Sequence, residues 1–141
     1  MKQIFVSLIA TCALATAGCS TAADTSTSSL PTAPTTPLVT ENFDGTVQVA
    51  GSDAHPFTVT SSGAAITFTL TTAGPPATIT MGFGIGSWDG TICTFLSGGS
   101  FSTPAGQTFS GNIASGQYCL MVSDVGNMLA PITYTATVAH Y

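Results

Sequence analysis

Two histidines, six carboxylates and a single tryptophan are the side chains from which this sequence of 141 residues can build an active or binding site. His55 precedes Pro56 and His140 precedes Tyr141, and neither stands at ligand-like spacing from a carboxylate. Both therefore read as exposed or lightly packed strand residues, not as catalytic or metal-bound groups. The acids Asp24, Glu41, Asp44, Asp53, Asp89 and Asp124 form no close pair of the kind glycoside hydrolysis needs. Serines are many, but none stands in the Gly-x-Ser-x-Gly setting that holds a nucleophile on a sharp turn. Gly82-Phe83-Gly84-Ile85-Gly86 has the look of a dinucleotide loop, yet such a loop must feed a helix and here a strand pattern follows. Glycines alternating on one strand face mean a groove or a close overlying side chain. Trp88 and Asp89 come directly after them. They read either as packing followed by an Asp-Gly turn or as a ligand-binding pair in which an exposed Trp88 stacks a sugar ring. Asp89, Asp124 and Asn127 offer oxygens of the kind calcium takes, but Asp and Asn are equally natural turn residues. The reading is of no metal, no cofactor and no enzyme.

Charge narrows the partners. Lys2 is the one basic side chain against six acidic ones, a formal net charge of −5. Phosphates are neutralised by Lys and Arg, so nucleic acid is excluded as a partner, and no cationic clamp exists for anionic substrates.

The N-terminus supplies an address. Residues 1–18 carry Lys2, an apolar run of 14 residues from Ile4 to Ala17, and small residues at the end, the pattern of an export signal. The run is shorter than the roughly 18 to 20 residues a membrane-spanning helix needs. Leu14-Ala15-Thr16-Ala17-Gly18-Cys19 resembles the lipobox of bacterial lipoproteins, with Thr16 where that family usually has Leu. The resemblance implies that Cys19 is lipidated and anchors the chain to a membrane. Ser20, in place of Asp, implies sorting to the outer membrane. With Cys12 lost in processing and Cys19 acylated, Cys93 and Cys119 remain, and two leftover cysteines in an exported protein most simply form a disulfide. Such a bond closes a loop of about 26 residues and contributes about 3.5 kcal/mol in the chain-entropy model. A redox-active pair would want Cys-x-x-Cys spacing and a cationic neighbour, and neither is present.

Residues 19–40 read as a disordered linker: Ser, Thr, Ala and Pro make up 17 of the 21 positions from Ser20 to Thr40. Residues 41–141 read as one folded domain. With 16 Thr and 14 Gly and no sustained helical periodicity, this segment alternates apolar and small polar residues at period two. The clearest runs hold Phe43 to Val49, Phe57 to Thr60, Ile66 to Thr71, Thr78 to Ile85, Tyr118 to Val122 and Ile132 to Val138. Gly63, Gly74-Pro75-Pro76, Asp89-Gly90, Gly98-Gly99, Gly111-Asn112, Ser115-Gly116 and Gly126-Asn127 punctuate them. The fold class is all-β: an antiparallel sandwich or jelly roll of seven or eight strands, with a closed barrel as the runner-up.

Phe43-Asp44-Gly45-Thr46-Val47, His55-Pro56-Phe57-Thr58-Val59, Ser62 to Leu70, Ala114 to Val122 and Tyr134-Thr135-Ala136-Thr137-Val138 together resemble the bacterial pre-peptidase C-terminal (PPC) domain. That resemblance spans residues 41–141. It implies a β-sandwich that accompanies exported enzymes as a non-catalytic module for secretion or substrate binding, although no catalytic domain is attached here. The expectation is an exported, lipid-anchored binding module whose loops or glycine-lined face meet a polysaccharide or an envelope protein. A self-assembling structural envelope protein and a small hydrolase are the alternatives.

Overall fold

The computed structural model describes residues 36–141. The lipobox-like residues, Cys19 and most of the linker lie outside the described residues. Where apolar and polar residues alternate, an extended chain turns all its apolar side chains to one face, and that face must be covered. Eight strands meet this condition: β1 (Val39–Val47), β2 (Ser52–Val59), β3 (Ala64–Gly74), β4 (Met81–Trp88), β5 (Cys93–Thr103), β6 (Gln107–Ile113), β7 (Gly116–Ser123) and β8 (Ile132–His140). They form two four-stranded antiparallel sheets, ordered β1-β8-β3-β6 and β2-β7-β4-β5. Only β4 and β5 are neighbours both in sequence and in a sheet. Every other connection changes sheet or skips a strand, which is jelly-roll order. The inner faces close on Leu70, Met81, Phe83, Leu120, Val122, Tyr134 and Val138, all 2% exposed or less. Each such side chain contributes roughly 1.5–3 kcal/mol by leaving water.

Several elements depart from the sequence reading. β1 begins at Val39, two residues ahead of Glu41, and ends at Val47, so Val49 lies exposed beyond the strand. There the chain turns with the Gly51 amide donating to the Gln48 carbonyl at 2.8 Å. Gly98-Gly99 and Gly111-Asn112 lie inside β5 and β6 instead of between strands. Pairing with a neighbour overrides the turn preference of these residues, because a sheet satisfies backbone groups that a turn would leave to water. In β5 the Gly98-Gly99 pair belongs to a bulge. Gly84 pairs with Ser100 and Gly86 with Phe95, so the four residues Leu96 to Gly99 stand opposite Ile85 alone. Gly98 takes φ of +72°, a conformation that costs glycine nothing.

Cys93 and Cys119 are joined as a disulfide with Cα atoms 5.9 Å apart. They lie on β5 and β7, and β4 runs between those strands. The bridge passes over Gly86, where a Cβ would come within 2.8 Å of the Cys93 sulfur.

Candidate ligand-binding site

Trp88 ends β4 on the same side as Gly82, Gly84 and Gly86, because the four share one parity in the strand. That side faces away from the core formed by Met81, Phe83 and Ile85. The register places Ser87 opposite Tyr118 of β7, and Thr58 of β2 opposite Gln117. Trp88 is consequently brought to β2. It is half-buried and, with Pro56, Phe57, Thr58 and Gln117, lines an open depression of about 260 Å³. Pro56, Thr58 and Gln117 are exposed, so the depression has an aromatic wall, an apolar ring and polar hydroxyl and amide groups within one patch. That combination suits an uncharged ligand carrying both an apolar face and hydroxyl groups.

Asp89 does not join this patch. Its Oδ1 accepts the backbone amides of Ile92 at 2.7 Å and Thr91 at 2.8 Å, tying the β4–β5 turn. These two bonds, led by the one from Ile92, hold its carboxyl below the usual carboxylate range. Of the pair singled out in the sequence, Trp88 lines the depression and Asp89 serves the turn. Asp124 is engaged in the same manner. Its Oδ2 accepts the Ala50 amide at 2.8 Å, and its Oδ1 faces the amides of Gly126, Asn127 and Met128 at 2.7 to 3.3 Å. The Ala50 bond is the main cause that keeps this carboxyl ionised below its ordinary range. The Asn127 side chain donates to the Thr80 carbonyl at 3.0 Å. Among the described residues no three His, Cys, Asp or Glu side chains converge on one point.

The glycine face is covered. Gly82, Gly84 and Gly86 are buried, and a Cβ on Gly84 would run into the Gly99 carbonyl oxygen of the β5 bulge. A Cβ on Gly86 would meet the Thr94 carbonyl at 2.6 Å. The space is taken by backbone and by the disulfide, so of the two readings of the alternating glycines it is close approach and not an open groove that holds, and a partner does not meet this face.

Both histidines are more engaged than the sequence suggested. Asp53 and His55 sit two apart on β2, a spacing that points them to the same side of the strand. Tyr134, from β8 in the other sheet, donates its hydroxyl to Asp53 Oδ2 at 2.9 Å and lies 2.8 Å from His55 Nε2. A phenol has one proton to give, so His55 Nε2 is the donor in the second bond. The imidazole also stacks on Phe43 of β1 with ring centroids 5.1 Å apart. Gly45 makes the group possible, since a Cβ there would collide with Asp53 and come within 2.9 Å of the Tyr134 hydroxyl. Burial, then the hydrogen bond and charge of Asp53, then the charge of Asp44 push the Tyr134 phenol far above its ordinary range. Tyr134 is therefore a neutral donor, and His55 spends Nε2 on it. The three residues tie the two sheets together. His140 is buried at 3% exposure, with Nε2 2.8 Å from Glu41 Oε1. This corrects its reading as exposed or lightly packed: inward parity on β8 carries it under Phe57. The separation of 81 positions between Asp53 and Tyr134 hides the first cluster from any reading of local spacing.

Fold and site together define an all-β jelly roll with an aromatic-walled surface depression. No family model and no curated protein matches the chain. Among solved structures it is similar to that of Aeromonas hydrophila PliG, a periplasmic lysozyme inhibitor of g-type lysozyme. The identity is 14%, over 71% of this chain and 84% of that chain, with a TM-score of 0.46.

Proposed function

We propose that this chain is an exported, lipid-anchored, non-catalytic module that binds an envelope or extracellular polysaccharide through the depression beside Trp88. The observation that carries the reading is the meeting of a half-exposed tryptophan with Pro56, Thr58 and Gln117 on one uncharged patch. A sugar ring offers an apolar face for the indole and hydroxyls for the threonine and the amide. The absence of Lys and Arg after Lys2 agrees with a neutral ligand. The lipobox resemblance at Leu14–Cys19 supports an acyl anchor on Cys19, and the Ser, Thr and Pro-rich stretch after it supports a tether that lets the domain reach outward. The PPC-like pattern of residues 41–141 supports a non-catalytic role.

Retention of the full chain on immobilised polysaccharides from a bacterial envelope tests the reading. The expected result is retention that falls about tenfold or more in Trp88→Ala. Equal retention of the variant removes the proposed face. Mass spectrometry of the native protein tests the anchor, with a diacylated Cys19 at the N-terminus expected and an intact Met1 contradicting it.

A further inference from the structure

Among the described residues β6 is an edge strand with no charge, proline or bulge to keep it from pairing. Four strands end the two sheets: β1, β6, β2 and β5. Edge strands are blunted by charges, prolines or bulges. β1 carries Glu41 and Asp44, β2 carries Asp53 and Pro56, and β5 is broken by the bulge from Leu96 to Gly99. β6, Gln-Thr-Phe-Ser-Gly-Asn-Ile, has no charge, no proline and no break in its register with β3.

Beside this edge, among the described residues, an opening reaches down toward core residues that themselves stay buried, Ile66, Phe68 and Ile85. It is an apolar cleft of about 500 Å³ between β6 and the β5 bulge. Gly111 lies in its lining and adds to the open space. Pairing opposite Ile66 gives Gly111 the core-facing parity of Phe109 and Ile113, yet a Cβ there would meet nothing within 4 Å. Phe109, in the same lining, is only partly buried, and it stacks on Phe101 at 4.0 Å. No Asp, Glu, Lys or Arg stands in β6, in its neighbour β3 or in β5, which together frame the cleft.

We infer that β6 is the pairing edge of a two-fold dimer, in which a second copy of this chain adds its own β6 antiparallel to the first. Charge selects the occupant. The chain is acidic overall, and two copies repel except where they meet through uncharged surface. A cationic partner would be drawn to the carboxylates of β1 and β2 at the opposite ends of the sheets. Shape selects the register. A two-fold axis at Ser110 sets each residue opposite the one whose number completes 220, so Gly111 faces Phe109 of the second copy. Each phenylalanine then lies over the empty space of the facing glycine, the pairing by which aromatic side chains offset glycines in sheets. Thr108 faces Asn112 on the outer side, and no charge meets another. An interface of this kind is self-complementary and closes with two copies.

Disulfide trapping in the full chain tests the register. In an antiparallel pair the axis residue lies about 4.5–5.5 Å from its mate, within reach of a disulfide. Ser110→Cys should therefore give a covalent dimer on mild oxidation. Asn112→Cys should not, because four residues of offset part the two copies of that position by roughly 14 Å. The unsubstituted chain run in parallel accounts for Cys12 and Cys19. In a second measurement, two differently tagged full-length copies should co-purify, and Ser110→Lys, with like charges on the axis, should abolish this while the native disulfide still forms. Absence of the Ser110→Cys dimer, equal crosslinking by Asn112→Cys, or co-purification undiminished in a folded Ser110→Lys chain overturns the proposal. Should the lysine variant fail to fold, the two cysteine variants decide. None of these outcomes touches Trp88, which lies on the other sheet.

Discussion

At Tyr134 a hydroxyl that has left water must find partners, and it takes them from the opposite sheet in Asp53 and His55. The folded state holds this phenol protonated far above its ordinary value near 10, while the unfolded chain releases the proton at about that value. The unfolded state thus loses protons first as pH rises, and stability falls above about pH 10. Urea midpoints measured from pH 8 to 11 should show that decline, and Tyr134→Phe should flatten it. The same variant leaves Asp53 without its donor and should cost roughly 1–3 kcal/mol at neutral pH. A wild-type midpoint unchanged beyond pH 10 would contradict the assignment. Little of this cluster is legible in the sequence. His55 is visible as a residue at the start of a strand, but the extension of β2 back to Asp53 is not, and nothing local connects either to a tyrosine in the last strand. Trp88 is legible as a residue to watch, because it is the one tryptophan and follows a glycine run; its neighbours Pro56 and Gln117 are not.

In β4 every second residue from Gly82 to Gly86 lacks a side chain, and the strand beside it explains the need. The β5 bulge lays the Gly99 carbonyl against Gly84, and the disulfide crosses Gly86. Gly84→Ala should therefore force the bulge aside and cost about 1–3 kcal/mol, read from thermal or urea unfolding. Gly63→Ala is a fitting control: nothing lies within 4 Å of its Cβ position, so its cost comes only from its φ of +69°. If both variants lose the same stability, the bulge does not bear on Gly84. The alternating glycines were readable as a sign of close approach. Which chain approaches was not, because Gly98-Gly99 carries the composition of a turn, and only pairing with β4 makes it part of a strand.

Across the whole molecule the jelly roll brings Cys93 and Cys119 together over the strand between them. The bond closes a loop with a sequence separation of 26. Replacing both cysteines by serine should lower the unfolding free energy by about 3.5 kcal/mol, a large share of the 5–15 kcal/mol typical of a domain. A loss below about 1 kcal/mol would show that the native connectivity is carried by the core alone. Leu70, fully buried on β3 between the sheets, gives the matching measure of that core. Leu70→Ala should cost about 2–5 kcal/mol, and the two effects should add, since the disulfide acts on the unfolded chain and Leu70 on the packing of the folded one.

The sequence by itself determined the strand class, most strand faces and the cysteine pair, because a period-two pattern states which side of a chain must be buried and two leftover cysteines state a bond. It also determined the uncharged stretch from Gly90 to Ser123. Tertiary structure alone decided the strand order, the covering of the glycine face, the union of Asp53, His55 and Tyr134, and the bare edge at β6. Those features depend on which strands become neighbours, and neighbours far apart in the chain are chosen by how two whole sheets bury their inner faces at once.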